Sequence, residues 1–373
     1  MPTVRGSRVV VLGGYGAFGA RVSERLAASP GLELVVAGRS RERAERFARE
    51  LAARSGASVG AGVMDAESIT ADHLMAERAS LVINASGPFQ TQDYRVARAA
   101  IDAGAHYVDL ADARGFVTGI GALDGEARRA GVLVVSGAST VPALSAAVAD
   151  ELAPRFAALT SVEIAISPGN SFDPGLATTQ SILGSLGRPF PAGPAADPGR
   201  AYGWQQLRRR RLPGLGARWL GACDTPDREL FPRRYPGLGS VDVSAALEVG
   251  AMHLGLWALS WGVRVGLVRD PARLAAPLLR AKRVLGFLGS DVGGMTVAVE
   301  GRDQQGGPKR VEWALVARNG HGPYIPAIPS VILAKRLVAG TLSARGATPC
   351  VGLFTLGDFM GEVADLDITA SVP

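Results

Sequence analysis

The chain has 373 residues, with 40 Lys and Arg against 34 Asp and Glu, four histidines and two cysteines. That is long enough for two domains and a large core. Two distant cysteines, Cys223 and Cys350, exclude a disulfide framework and form no metal-ligand spacing, so no metal site is expected. The net charge of +6 suits anionic substrates or cofactors. It would suit nucleic acid too, but no basic helix, zinc spacing or aromatic RNA motif accompanies it, and no nucleic-acid partner is expected.

The first predicted strand is the branched apolar run Val9–Leu12, and it enters GGYGAFG at 13–19. A helix follows, with Val22, Leu26 and Ala27 on one face, and Leu32–Ala37 closes a β-α-β unit. Gly14, Gly16 and Gly19 supply G-x-G-x-x-G. In that pattern the first glycine permits a tight turn, the second lets backbone approach a pyrophosphate, and the third lets helix pack on strand. Free N–H groups at the helix start then face phosphate. Tyr15, Ala17 and Phe18 complete the predicted cofactor loop.

An NAD unit places an acid about twenty residues past the glycines, on the ribose 2′-hydroxyl. Here the stretch is Gly38-Arg39-Ser40-Arg41. An acid would repel a 2′-phosphate, whereas Arg39 can grip it in a fork and Ser40 can donate to it. NADP is therefore expected over NAD. The alternative leaves Arg39 and Arg41 as solvated charges leading into the next helix.

That helix spans Arg41–Arg54, and Ser58–Val63 is the third strand. Asp65 beyond it is either a contact to the adenine amine or a cap or turn residue. The fourth strand, Ala79–Asn84, breaks at Ala85-Ser86-Gly87-Pro88-Phe89. A loop at the carboxyl end of a central strand is where ligands collect in parallel sheets. Asn84 to Pro88 are thus predicted cofactor contacts, and Phe89 a substrate contact. A helix over Tyr94–Ala103, a fifth strand over His106–Leu110, a glycine-interrupted helix over Phe116–Ala130 and a sixth strand over Val132–Ser136 follow. Pro142 suits the first turn of a helix running to about Leu152. Six strands alternating with helices predict a doubly wound parallel sheet.

A strand over Ser161–Ile166 opens a second region. Residues 187–199 are too rich in Pro and Gly for regular structure, and 202–239 reads as irregular, basic and aromatic. Arg208 to Arg211 is a solvated patch or a phosphate or partner site. Ser240–Val249 alternates. Ala251–Val268 is apolar except for His253, Ser260 and Arg264, which favours a buried or dimer-facing helix over a membrane span. A further helix covers 272–288. Met295–Glu300 and Lys309–Arg318 form a hairpin, and Ser330–Gly340 a helix. No signal peptide is visible, and a cytoplasmic location is expected.

GGYGAFG, AGRS at 37–40, INASGPF at 83–89, AHYVDLAD at 105–112 and SGASTVP at 136–142 together resemble the saccharopine dehydrogenase-like NADP-dependent oxidoreductases. More weakly, GSDVGGMTVAVEG at 289–301 and HGPYIP at 321–326 are similar to the carboxyl-terminal regions of bacterial members. The resemblance implies an α/β chain: a Rossmann domain over 1–150, a second α/β dimerisation and substrate domain built on a mixed sheet over 151–326, and a 327–373 segment packing back. It also implies a homodimer and hydride transfer at a carbon–nitrogen bond of an amine–oxo acid conjugate, a small-molecule substrate held between domains. Candidate proton donors are Tyr107, Asp109, Asp112 and His321, and Arg233 and Arg234 could clamp substrate carboxylates. Two other functions stay open: reduction of a C=C or C=O bond on an apolar substrate, and NADP binding without turnover.

Overall fold

A computed structural model describes residues 7–192 and 199–371. The first residues, read as entering a strand directly, and 193–198 of the Pro- and Gly-rich loop lie outside the described residues.

The chain forms two compact units, 1–143 with 323–354, and 144–322 with 355–373. In the first, strands β1 (Ser7–Leu12), β2 (Leu32–Gly38), β3 (Val59–Val63), β4 (Leu81–Asn84), β5 (His106–Asp109) and β6 (Leu133–Ser136) alternate with helices. All six are parallel, in the order β6-β5-β4-β1-β2-β3, and Gly346–Pro349 adds a seventh parallel strand beyond β6. The strand order reverses between β1 and β4, which opens a crevice at their carboxyl ends. Helix α1 (Gly19–Ala27) follows β1 and buries Val22, Leu26 and Ala27. Helix α2 (Arg41–Ser55) follows β2, with Ala44, Ala48 and Leu51 inward. The apolar runs of β1 and β4 are sealed on both faces; Val9, Val10, Val11, Val82 and Ile83 have no exposed surface.

One boundary differs from expectation. Thr140–Leu144 forms a wide turn in which Val141 is extended, so the helix starts at Ser145 and Pro142 precedes it.

The second unit holds β7 (Ala158–Ser167), a two-stranded piece of β8 (Pro189–Pro191) and β9 (Arg200–Tyr202), then β10 (Arg208–Leu212), β11 (Gly216–Ala222), β12 (Ser240–Ala245), β13 (Gly293–Arg302) and β14 (Pro308–Ala317). With the first unit's added strand as β15 (Gly346–Pro349), the last strand is β16 (Ile368–Ser371). The order is β10-β11-β12-β7-β13-β14-β16, mixed because β12 and β7 are parallel while the other pairs are antiparallel.

The basic stretch is therefore not irregular. Alternation along β10 puts Arg208 and Arg210 on one sheet face and leaves Arg209 and Arg211 exposed. Arg208 pairs with Asp242, and Arg210 with Glu163 at 2.6 Å and Glu312 at 3.2 Å. Arg310 extends this ladder to Glu163 and Glu300. Acids distant in sequence neutralise what read as a free cationic patch. The Gly250–Arg264 helix also departs from the buried reading: the residues it fully buries are His253 and Ser260, whereas Leu254 and Trp261 are exposed. No described helix is long and apolar enough to cross a membrane.

Candidate functional site

The site is built in the first unit from the loops that follow β1 and β4. Gly13 has φ +77°, a conformation open to glycine, and its N–H donates to Ala37 O at 2.8 Å. A Cβ on it would lie 3.0 Å from the Ala85 carbonyl group, so the β1 loop rests directly on the β4 loop. A Cβ at Gly14 would sit 2.7 Å from Val11 O, and one at Gly19 2.2 Å from Gly13 O. These two glycines are demanded by the loop's own packing. Gly16 differs: the nearest atom to its Cβ would be Gly13 O at 3.1 Å, and the space beyond is open. Helix α1 starts here with no side-chain cap and no acid in its first turn. A cradle that a Cβ would fill, at the positive end of an uncapped helix, fits a pyrophosphate.

Beyond β2 and β3 lies a cavity of about 280 Å³ lined by Arg39, Val63, Met64, Asp65, Ser68, Ile69 and His73. Arg39 is exposed there and has no ion pair among the described residues. Ser40 caps α2, its Oγ accepting from Arg43 N at 3.3 Å, and it keeps its hydroxyl proton to donate. Asp65 turns the chain by accepting from Glu67 N at 3.1 Å and also lines the cavity. An unpaired guanidinium beside a helix cap fits a ribose 2′-phosphate.

Two predicted contacts fall elsewhere. Arg41 leans along its own helix to Glu45 at 3.6 Å, because that (i, i+4) partner is within reach. Tyr15 lays its ring on Gly38, where a Cβ would be 2.5 Å from the phenolic oxygen. Its hydroxyl accepts from Ser40 N at 2.9 Å, and Arg43 covers the ring at 4.8 Å. Tyr15 thus braces the turn that presents Arg39. Nothing local in the sequence announces this bridge, because its partners lie more than twenty residues away.

The β4 loop is held from beneath. Asn84 is fully buried; its Oδ1 accepts from Ser86 N at 3.0 Å and from Ser86 Oγ, and its Nδ2 donates to the Tyr107 hydroxyl at 3.3 Å. Its side chain shapes the loop. Gln92 Nε2 donates to Ser86 O, and the Gly87–Pro88 bond is cis. The loop surface offered at the crevice is Ala85 to Pro88. Phe89 is 7% exposed and packs on Phe116 with centroids 5.4 Å apart, so it belongs to the core and not to a substrate surface.

Tyr107 and Asp109 sit under this loop with almost no solvent contact. Burial raises the Tyr107 hydroxyl well above its ordinary range. Asp109 Oδ1 accepts from Gly137 N at 2.8 Å, Ala111 N at 3.0 Å and Ser136 Oγ at 3.0 Å. Its Oδ2 has no hydrogen-bond partner, and burial pushes its pKa up to about 6. Both are sealed from solvent, which removes them as direct proton donors. They tie the ends of β4, β5 and β6 together instead. Ser136, which sequence reading missed, is part of that knot. Asp112 is exposed, with Oδ1 accepting from Gln90 Nε2 at 3.3 Å, and the protein packed around it raises its pKa.

The remaining candidates belong to the second unit and are engaged there. His321 Nδ1 accepts from Asp367 N at 2.8 Å, which places any imidazole proton on Nε2. Arg233 pairs with Glu229 at 2.6 Å on the helix surface. Arg234 grips Asp150 through two bonds of 2.7 Å, and Tyr235 joins the same carboxylate. Neither arginine is a free carboxylate clamp, since each already holds one.

The reversal of strand order, the glycine cradle and the uncapped helix define a dinucleotide-binding Rossmann unit. Residues 9–135 match the family described as the saccharopine dehydrogenase NADP binding domain. The match covers four of the five resembling segments, and its description gives NADP as the cofactor. A protein of Caenorhabditis elegans named "Lipid droplet localized protein" is 35% identical over 144 residues, 36% of this chain and 34% of that protein. The match thus spans about a third of that relative's length. In solved structures, the apo saccharopine dehydrogenase (L-Glu forming) of Saccharomyces cerevisiae is 15% identical, with 99% of this chain and 100% of that one covered and a TM-score of 0.67. The fold is thus shared over the whole chain. An amine dehydrogenase from Mycobacterium smegmatis is 14% identical over 92% of this chain and 94% of its own, with a TM-score of 0.49.

Proposed function

We propose that the protein is an NADP-dependent oxidoreductase that moves hydride at a carbon–nitrogen bond of an amine–oxo acid conjugate. One observation carries the cofactor half of this reading: Arg39, unpaired at the cavity beyond β2, stands where an NAD site would hold an acid. Whole-chain likeness to a saccharopine dehydrogenase fold supports the reaction class. NADPH, when bound, supplies the hydride. The chain's own residues seat and orient. Gly16 and the start of α1 receive the pyrophosphate, Arg39 and Ser40 the 2′-phosphate, and the Ala85–Pro88 backbone the nicotinamide side. The Asn84–Tyr107–Asp109 knot holds that backbone in place. Among the acids at the end of β5, Asp112 reaches solvent and is assigned the proton delivered to nitrogen.

The test is NADPH oxidation across a panel of amines and 2-oxo acids. Turnover with both together and with neither alone supports the reading. Turnover of an enone or ketone without amine overturns it in favour of a C=C or C=O reductase, a second reading that the exposed apolar Gly250–Arg264 helix and the lipid-droplet name of the worm relative favour. Tight NADPH binding with no turnover on either panel identifies a non-catalytic binder.

A further inference from the structure

The second unit carries two helices whose hydrophobic sides face outward. In Gly250–Arg264 the polar His253 and Ser260 point inward. Ala251, Leu254, Ala258, Trp261 and the following Val265 are exposed, a spacing of three and four that makes one continuous stripe. The Ala275–Val284 helix with its flanking turns repeats this through Leu274, Leu278, Ala281, Leu285 and Leu288, all exposed. Both helices turn their inner sides to one core cluster, in which Leu256, Leu259 and Val263 pack with Leu183, Trp204 and Ala275. The outward stripes therefore face away from the same core. Exposure is greatest at the helix ends and the turns beyond them: Leu267 is 83% exposed, Phe287 77% and Val284 73%. So many large apolar side chains on one side of a unit mark a docking surface and not ordinary surface scatter.

Charge decides the occupant. Residues 250–288 contain six cations (Arg264, Arg269, Arg273, Arg280, Lys282 and Arg283) and one acid, Asp270. Asp270 is spent on Arg273. Arg264 is stacked on Tyr202 and Trp261, while Arg269 and Arg280 are exposed with no ion pair among the described residues. A second copy packed symmetrically on this face would set cation against cation. An anionic lipid surface takes both features, with apolar side chains entering the acyl boundary and arginines meeting phosphates. Trp261 beside Arg264 is the amphipathic pair such a boundary accommodates.

We propose that the face formed by residues 250–288 docks the protein peripherally on an anionic phospholipid surface. The full-length chain should sediment with vesicles of phosphatidylcholine containing about one third phosphatidylglycerol, and weakly or not at all with phosphatidylcholine alone. Arg269→Glu with Arg280→Glu should weaken vesicle binding by at least roughly ten-fold, as should Leu267→Asp with Phe287→Asp. All four side chains are exposed, so melting temperature and NADPH affinity should match wild type in both variants. No sedimentation by protein that binds NADPH overturns the proposal. So does equal binding by wild type and variants, or binding that ignores lipid charge. Conversion of a wild-type dimer to monomer by Leu267→Asp with Phe287→Asp, without vesicle binding, overturns it too, because a second copy would then cover the face.

Discussion

Replacing Arg39 by alanine should remove the preference for NADPH over NADH. Arg39 lines the cavity beyond β2 and has no ion pair among the described residues, so it is not withdrawn from the ligand by an acid. A fork of two charge-assisted bonds to a phosphate contributes about 2–3 kcal/mol after allowance for the solvent that reaches an exposed group. That corresponds to a roughly 30- to 150-fold rise in Kd for NADPH. NADH lacks the phosphate and should change by less than about two-fold. Arg39→Asp adds repulsion and should cost more for NADPH alone. Arg41→Ala is the internal control: Arg41 already leans on Glu45, and its loss should leave both affinities within about two-fold. Calorimetric titration of both nucleotides into each variant measures the set. Equal losses of NADPH and NADH affinity in Arg39→Ala, or a larger NADPH loss in Arg41→Ala, would refute the phosphate assignment.

The glycine loop separates folding from binding. Gly16→Val should keep the melting temperature near wild type and abolish detectable cofactor binding, whereas Gly19→Ala, with its Cβ 2.2 Å from Gly13 O, should lower the melting temperature itself; the opposite ranking of the two melts would sink this division. Asp109, folded at about 6 against an ordinary 3.8, penalises the native state above pH 6 by about 3 kcal/mol, and the penalty fades as pH falls toward 3.8. Asp109→Asn leaves an oxygen for the three donors, so its stability relative to wild type should fall by about 2–3 kcal/mol between about pH 7.5 and 4 in denaturant titrations; a flat difference would show that the carboxyl is not carrying the shift. Arg210→Ala should destabilise by about 1–2 kcal/mol, because it leaves Glu163 and Glu312 short of a shared cation. An unchanged denaturation midpoint would mean that the ladder is solvent-screened throughout.

Sequence reading reached furthest where chemistry is local. The glycines, the apolar strands and the missing acid at 39 act over a few residues, and six of the seven parallel strands were legible for that reason. β15 was not: it is four residues long, ends in Pro349 and has no apolar run, and pairing with β6 rather than propensity makes it a strand. β10 was hidden differently, because its alternating arginines read as solvated until Glu163, Asp242 and Glu312 arrive from other strands. Within the site, residue types were predicted better than duties. Asn84, Tyr107 and Asp109 look like reagents in one dimension; their burial makes them scaffolding. Arg233 and Arg234 look like clamps until Glu229 and Asp150 are seen to hold them.

The polypeptide changes units three times, after residues 143, 322 and 354. Neither unit can therefore be excised as one uninterrupted fragment. A truncation ending near 143 would bare the outer edge of β6 where β15 belongs and would lose the Tyr324 hydroxyl that donates to Glu24. An isolated cofactor-binding module would need residues 323–354 grafted on through a linker, and a ribosome must deliver nearly the whole chain before its first sheet can close.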